Sequence, residues 1–292
     1  MKMIEAPYLN SGDSVYILST ARKITQEELD FSIKTLESWG LYVILGDSIG
    51  AEDNQFAGSD EVRINDFNKA VHDPNVKAII CARGGYGTVR IVDHLDWDHL
   101  LVNPKWICGY SDVTTIHSTA HNKGIQTIHS TMPVNFKTNS EEALTTLKSA
   151  LFGVEIDYSS FPYKVHRTGK MEGQLIGGNL SIIYSLLGSP SCIDTKGKIL
   201  FIEDLDEYLY HIDRMMMNIK RNGYFEGLSG IIIGGMTDMN DNTIPFGKSA
   251  LEIIFEHVEE YDFPVIYDFP AGHVDDNRAL IFGKKLGLNV EI

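Results

Sequence analysis

Cysteine is scarce in this sequence and has no pairing pattern. Cys81, Cys108 and Cys192 form an odd, widely spaced set with no C-x-x-C and no histidine at metal-ligand spacing. That argues against a disulfide framework and a zinc ribbon, and the three read as buried thiols. Basic charge is also short. Lys plus Arg total 25 against 40 Asp plus Glu, a formal net charge of −15, and no basic run suited to neutralising phosphates occurs, so no nucleic-acid partner is expected. Long apolar runs are missing. No window approaches the roughly 18 apolar residues of a membrane span, and the opening residues carry no signal-peptide core, so the expectation is a cytoplasmic protein without a membrane partner. Repeats, low-complexity tracts, a G-x-G-x-x-G fingerprint and a Walker lysine are absent as well.

What is present is an ordinary enzyme-like composition. The 292 residues are 43% hydrophobic and 22% charged, which favours two modest domains over one oversized core. The first half alternates strand and helix. Ser14 to Ser19 reads as a strand, and a helix opens at Thr25 with Glu28 at capping-box spacing and an apolar face of Leu29, Ile33 and Leu36. Gly40 ends that helix. Strands follow at Leu41 to Leu45, Val76 to Cys81, Trp106 to Cys108 and Ile125 to His129, with helices through Ile64, Phe67 and Val71, over Val113 to Ala120, and from Ser140 to Phe152, closed by Gly153. This order predicts a parallel α/β sheet.

The amino-terminal domain is expected to span residues 1–160 and the carboxyl-terminal domain residues 161–292. Glu155 to Lys170 reads as an irregular crossing between them. Beyond it, strands are expected near Gln174 and at Lys198 to Ile202, Ser229 to Gly235, Pro264 to Tyr267 and Ala279 to Phe282. Helices are expected at Asn179 to Leu187, Asp206 to about Arg221, and Lys248 to Glu260.

Three segments carry chemistry. In Gly109-Tyr110-Ser111-Asp112-Val113-Thr114 a strand turns directly into a helix with a serine on the corner, which exposes the hydroxyl and leaves the Asp112 amide at the helix start, free to bind an oxyanion. Val113 stands where the G-x-S-x-G elbow has its second glycine, so the segment also fits a plain helix cap. Arg83-Gly84-Gly85-Tyr86-Gly87 follows a strand, at the carboxyl edge where parallel sheets bind ligands. Its glycines allow close backbone approach, and Arg83 suits a substrate carboxylate. Glu203 and Asp204 end an apolar strand on opposite faces; one suits the orienting acid of a histidine and the other a cap for the helix carrying Tyr208, Ile212 and Met215.

The base is not decided by periodicity. His72, His94, His99 and His121 sit among polar residues, and His117 reads as packed inside. His129 ends a strand near the same sheet edge, and His273 lies in the loop Pro270-Ala271-Gly272-His273-Val274-Asp275-Asp276-Asn277.

Taken together, Ala82 to Gly87, Gly109 to Asp112, Gly177-Gly178-Asn179-Leu180, Leu200 to Asp204, Ile212 to Met215 and Gly272-His273 resemble, in order and spacing, the LD-carboxypeptidases of serine peptidase family S66. The resemblance implies a Rossmann-like amino-terminal domain, a smaller swivelling β/β/α carboxyl-terminal domain and a homodimer. It also implies a triad of Ser111, Glu203 and His273, and an oxyanion hole of the Asp112 and Gly85 amides. Arg83 and Gly84 would contact substrate, and neither a metal nor an organic cofactor is expected. The implied activity is removal of terminal D-alanine from murein tetrapeptides during peptidoglycan recycling. A sister branch, the microcin C immunity peptidases, cleaves aminoacyl-nucleotide amides with the same triad and tends to be longer. Arg278 to Gly283 departs from the family's usual Pro-rich strand after the histidine, which bears on the pocket wall. Two rivals stand beside this reading: a non-catalytic anion-binding α/β protein, and a cysteine-dependent amidotransferase using Cys81 or Cys108.

Overall fold

The computed structural model describes residues 2–291, arranged around two six-stranded sheets. Five strands of the first sheet come from the first half of the chain: β1 (Ser14–Leu18), β2 (Tyr42–Leu45), β3 (Val76–Cys81), β4 (Trp106–Gly109) and β5 (Thr127–His129). All five run parallel, in the order β5-β4-β3-β1-β2. Strand alternation sends Val15, Ile17, Ala78 and Ile80 into one apolar layer and Tyr16, Leu18, Ile79 and Cys81 into another. Burial on both faces explains the continuous apolar runs. The layers are closed by α1 (Asp30–Ser38), α2 (Asp60–His72), α3 (Trp97–Val102), α4 (Thr114–Asn122) and α5 (Glu141–Phe152). The Thr25–Glu28 box forms, ahead of a 3₁₀ turn at Glu27–Leu29 that precedes α1. Ser140 caps α5 and Gly153 ends it at φ +75°.

The second sheet is built on β6 (Lys164–Arg167), β7 (Gly169–Asn179), β8 (Lys198–Leu205), β9 (Gly230–Thr237) and β10 (Val265–Tyr267). Strands β7 to β10 are parallel, and β6 lies antiparallel on the β10 edge. Helices α6 (Leu180–Ser185), α7 (Leu209–Arg221) and α8 (Ala250–Val258) share a core with one face of this sheet, to which Leu200, Ile202, Ile231 and Ile233 contribute.

The last two strands part company. β11 (Leu280–Phe282) pairs antiparallel with β5, so a strand from the end of the chain edges the first sheet, while β12 (Lys285–Val290) pairs antiparallel with β7. Leu280 and Phe282 of β11 pack with Leu175, Ile199 and Phe201 from the second sheet, and Ile281 packs into the first. One short strand thus ties both sheets into a shared apolar layer.

Three sequence expectations change here. The crossing at Glu155 to Lys170 contains β6, an edge strand whose Lys-Val-His-Arg composition gives no apolar signal. β12 is an additional strand, outside the expected set although Leu286, Leu288 and Val290 alternate along it. α7 starts at Leu209 rather than Asp206, whose φ of +56° places it outside any helix.

Candidate active site

Ser111 sits where the first sheet meets α4. β4 ends at Gly109, Tyr110 is extended, and Ser111 adopts φ +63° before the chain enters a 3₁₀ turn and α4. That left-handed conformation costs a residue with a Cβ about 1–2 kcal/mol, and it turns the side chain out of the corner. The glycine loop lies directly above it. A Cβ on Gly84 would stand 2.8 Å from Ser111 Cβ, 2.9 Å from its Oγ and 3.5 Å from the Asp112 amide nitrogen. Only glycine permits that approach. Among the described residues, the amides of Gly85 and Asp112 and the hydroxyl of Ser111 make no hydrogen bond. Two unengaged N–H donors therefore flank an unengaged hydroxyl.

The Asp112 carboxylate has a separate task. Buried to 1% exposure, it accepts the Thr88 amide at 2.8 Å and so ties the end of the glycine loop to the serine corner. Burial raises its pKa, and the Thr88 bonds and the nearby Arg63 oppose that rise. Arg63, itself buried, donates from one nitrogen to the carbonyls of Thr20 (2.6 Å) and Gly87 (3.0 Å), bracing the other side of the loop.

Glu203 and His273 meet 70 positions apart in the chain. Glu203 Oε2 accepts from His273 Nδ1 at 2.6 Å and from the His273 backbone amide at 3.2 Å. Gly272, at φ +100°, makes the contact possible: a Cβ there would lie 2.6 Å from Glu203 Cβ. The pKa of His273 is raised. Burial alone would lower it, but attraction to Glu203 and their hydrogen bond outweigh the burial, with Asp204 adding to the effect. Several bonds fix the histidine loop. Asn277 Oδ1 accepts the Gly272 amide, the Thr237 hydroxyl donates to the His273 carbonyl, and Ser140, the cap of α5, bonds the Asp275 carbonyl and the Asp276 carboxylate. The Tyr110 and His273 rings stand 4.7 Å apart, so the dyad reaches the residue preceding Ser111.

Asp204 takes a different role from the one expected. It holds the start of α6, not α7: its carboxylate accepts from Asn179 Nδ2, the Ser181 amide and the Leu205 amide, each at 2.9 Å. Burial, then the neighbouring Glu203 charge, raises its pKa to about 7. Asn179 in turn caps α6 through the Ile182 amide and donates its own amide to Thr114 Oγ1 at 2.9 Å, linking the second domain to α4. Gly178 leaves room for that link, since a Cβ would fall 2.4 Å from Thr114 Oγ1. Sequence reasoning misses this bracing role of Gly178 and Asn179; the paired glycines before a helix cap are its only signal.

Ser111 opens into a cleft of about 330 Å³ lined by Gly85, Ser111, Asp112, Asn179, Ser181, Ile182, Asp204, Leu205, Asp206 and Glu207. His273 is not part of this lining, and no hydrogen bond joins it to Ser111. A larger apolar cavity of about 560 Å³ flanks the other side of the His273 loop, lined partly by Pro270 and Val274, and contains none of the triad residues.

Arg83 is turned away from this cleft. Its guanidinium donates to the Lys23 carbonyl at 3.1 Å and stands 3.9 Å from Glu28, in a depression with Arg22 and Glu52. Gly84 and Gly85 remain at the serine while their neighbouring arginine does not.

The other histidines separate by burial. His117 is inside, bonded to Thr127 Oγ1 and the Gly109 carbonyl, and burial holds its pKa near 4. His129 is wholly buried against Phe201, Phe282 and Tyr110, with its pKa pushed well down by the same cause. His121 is buried rather than solvated, with its pKa lowered to about 4 by burial. Cys81 and Cys108 are fully buried, and burial pushes the Cys81 thiol up to about 12. An un-ionised, inaccessible thiol is no nucleophile, which removes the amidotransferase rival.

Residues 15–130 match the LD-carboxypeptidase N-terminal domain and residues 172–288 the LD-carboxypeptidase C-terminal domain. A probable murein peptide carboxypeptidase of Bacillus subtilis is 35% identical over 291 residues, covering 96% of this chain and 90% of its own. The solved muramoyltetrapeptide carboxypeptidase of Oxalobacter formigenes superposes with a TM-score of 0.84 at 24% identity over 95% of both chains. The microcin C7 self-immunity protein MccF, solved with aspartyl sulfamoyl adenosine, gives 0.87 at 23% identity over 97% of this chain and 95% of its own. The two-sheet α/β fold is therefore shared with both, and the chain belongs to the LD-carboxypeptidase family and is a carboxypeptidase.

Proposed function

We propose that this protein is a serine LD-carboxypeptidase that removes the terminal D-alanine from murein tetrapeptides, acting in the cytoplasm as a homodimer in peptidoglycan recycling. The observation that carries the reading is the Glu203–His273 pair set against Tyr110, the residue before a strained, unbonded Ser111 whose own corner and glycine loop offer two free amides. Domains are assigned as residues 1–160, bearing the nucleophile, and 161–292, bearing the acid and the base.

In this mechanism substrate binding draws Ser111 Oγ and His273 Nε2 together; ligand-free sites commonly hold such bonds open. His273 takes the serine proton as Oγ attacks the carbonyl that precedes D-alanine. The oxyanion is met by the Gly85 and Asp112 amides, each worth about 10²- to 10³-fold in rate in comparable hydrolases. Protonated His273, stabilised by Glu203, then gives its proton to the departing amine. Water hydrolyses the acyl-enzyme with the same histidine as base.

The cleft's charge favours a murein peptide over a nucleotide conjugate. Asp204, Asp206 and Glu207 line it and no lysine or arginine does, an arrangement suited to the free ammonium of a diaminopimelate residue and unfavourable to a phosphate. With a net charge of −15 the enzyme gains nothing from long-range steering of an anionic peptide, so recognition is local. The test is one incubation with murein tripeptide, tetrapeptide, pentapeptide and an aminoacyl-sulfamoyl adenosine, read by mass spectrometry. Loss of alanine from tetrapeptide alone is expected. Cleavage of the nucleoside conjugate in preference transfers the protein to the immunity branch, and tight binding without turnover or a serine-phosphonate adduct makes it a binding protein.

A further inference from the structure

Away from the cleft, the side chains of His72, Asp96 and His99 each offer one ligand atom, and these atoms all lie within 4.8 Å of one another. His72 is the last residue of α2, while Asp96 caps α3 and His99 lies in its first turn. The cluster is held in place by neighbouring bonds, of which one, from Asn103 Nδ2 to His99 Nε2 at 3.3 Å, must give way if that nitrogen is the ligand. Asn68 on α2 accepts the Asp96 amide at 2.8 Å, and Asp96 Oδ1 accepts the His99 amide at 3.0 Å. That leaves Asp96 Oδ2, which lies 2.7 Å from His72 Nε2. The two imidazoles stand 4.5 Å apart, centroid to centroid, tilted by 66°.

We propose that His72, Asp96 and His99 form a surface site for a transition-metal dication of the zinc class, bridging α2 and α3. Two imidazole nitrogens and one carboxylate oxygen are the donor set preferred by zinc and its neighbours. Calcium and magnesium require several oxygens, and the cluster supplies one. A metal with ligand distances of about 2.0–2.2 Å and tetrahedral angles separates its ligand atoms by about 3.3 Å. The His72–Asp96 pair must then open by roughly half an ångström, a movement available to a half-exposed His72 ring. Coordination replaces the hydrogen bond between His72 Nε2 and Asp96, with His72 in the tautomer that carries its proton on Nδ1. Water completes the shell. Two lysines share the depression, but their amines are turned to backbone carbonyls: Lys77 to Pro74, and Lys105 to Asp73 and Val76. Their charge lowers the affinity without blocking the ligands.

The test is calorimetric titration of the full, tag-free chain with Zn²⁺, alongside Co²⁺ followed by its visible d–d absorption. One equivalent is expected to bind, Mg²⁺ is not, and the thermal midpoint should climb with free Zn²⁺. His72→Gln alters an exposed side chain, and Asp96→Asn preserves the helix cap while removing the anionic ligand. Each should weaken binding by about tenfold or more with an unchanged circular dichroism spectrum. Absence of Zn²⁺ uptake, or uptake equal in both variants and the parent, overturns the site; the second result assigns the metal to other histidines.

Discussion

A single carboxylate oxygen, Glu203 Oε2, holds both the ring Nδ1 and the backbone amide of His273. One acid therefore sets the tautomer of the imidazole and the position of the loop that carries it. Its second oxygen, Oε1, is buried with no partner among the described residues, so the hydrogen bonds of this carboxylate both go to His273.

Replacing Glu203 by glutamine removes that charge and keeps the shape. His273 acts as a base only when neutral, and its raised pKa puts the acid limb of kcat/KM above pH 6.5 in the parent enzyme. In Glu203→Gln the burial that opposes protonation is no longer outweighed, so the limb should move to lower pH while kcat falls by about 10⁴-fold. A pH profile of tetrapeptide hydrolysis checks both; an unmoved limb would show that another group titrates there.

Ser111→Ala should lower kcat by about 10⁶-fold, the scale of nucleophile loss in serine peptidases, with the fold intact by circular dichroism. Ser111→Gly should be equally inactive yet no less stable than the parent. Relief of the φ +63° strain, about 1–2 kcal/mol, exceeds the added chain entropy of glycine, about 0.4–1 kcal/mol. Thermal unfolding of the pair measures the difference.

Gly84→Ala places a methyl 2.8–2.9 Å from the Ser111 side chain. The loop or the serine must shift, and misplacement of about 1 Å costs roughly 10²-fold in rate. Steady-state kinetics should show the loss in kcat. Retention of full activity would remove the glycine loop from the oxyanion site.

Acid should destabilise the fold through buried histidines. His117 and His121 have folded pKa values near 4, and that of His129 is also lowered, all by burial. The unfolded chain binds protons at these positions near pH 6.5 while the folded chain does not, so stability is full above that pH and falls as pH drops toward 4. His117 alone contributes about 3 kcal/mol to that loss. His273 acts oppositely: its raised pKa adds stability below pH 6.5 that fades as pH rises through its folded value. Asp204, with a folded pKa of about 7, and Asp112, also raised by burial, act in the same sense as His273, so the histidine contribution is read by calorimetry as the difference between parent and His117→Asn in the change of thermal midpoint from pH 7 to pH 5. His117→Asn should lose less stability, or gain more, between pH 7 and pH 5 than the parent.

Much of the fold is legible in the sequence because burial on two faces leaves a local trace. The apolar runs at Val76 to Cys81 and Lys198 to Ile202 announce parallel strands, and Ser140 with Gly153 marks both ends of α5. Edge strands leave a weaker trace because one side stays wet: β6 shows no apolar run, and β12 shows only the alternation of Leu286, Leu288 and Val290 among lysine, glycine and asparagine. Arg83 misleads for a related reason. A residue's place beside a catalytic loop says nothing of which way its side chain leaves the backbone, and this one leaves toward Lys23 and Glu28.

By itself, the sequence determined a serine at a strand-to-helix corner beside a glycine loop, because turn chemistry and apolar patterning act over a few neighbouring residues. Only the tertiary structure decided which histidine joins the acid. His129 and His273 both lie near the same sheet edge, but His129 is enclosed by Phe201 and Phe282, whereas β8 and the loop after β10 bring Glu203 against His273. Contact across 70 positions is set by how two sheets pack, and periodicity reports the face of one element without saying which element it will meet.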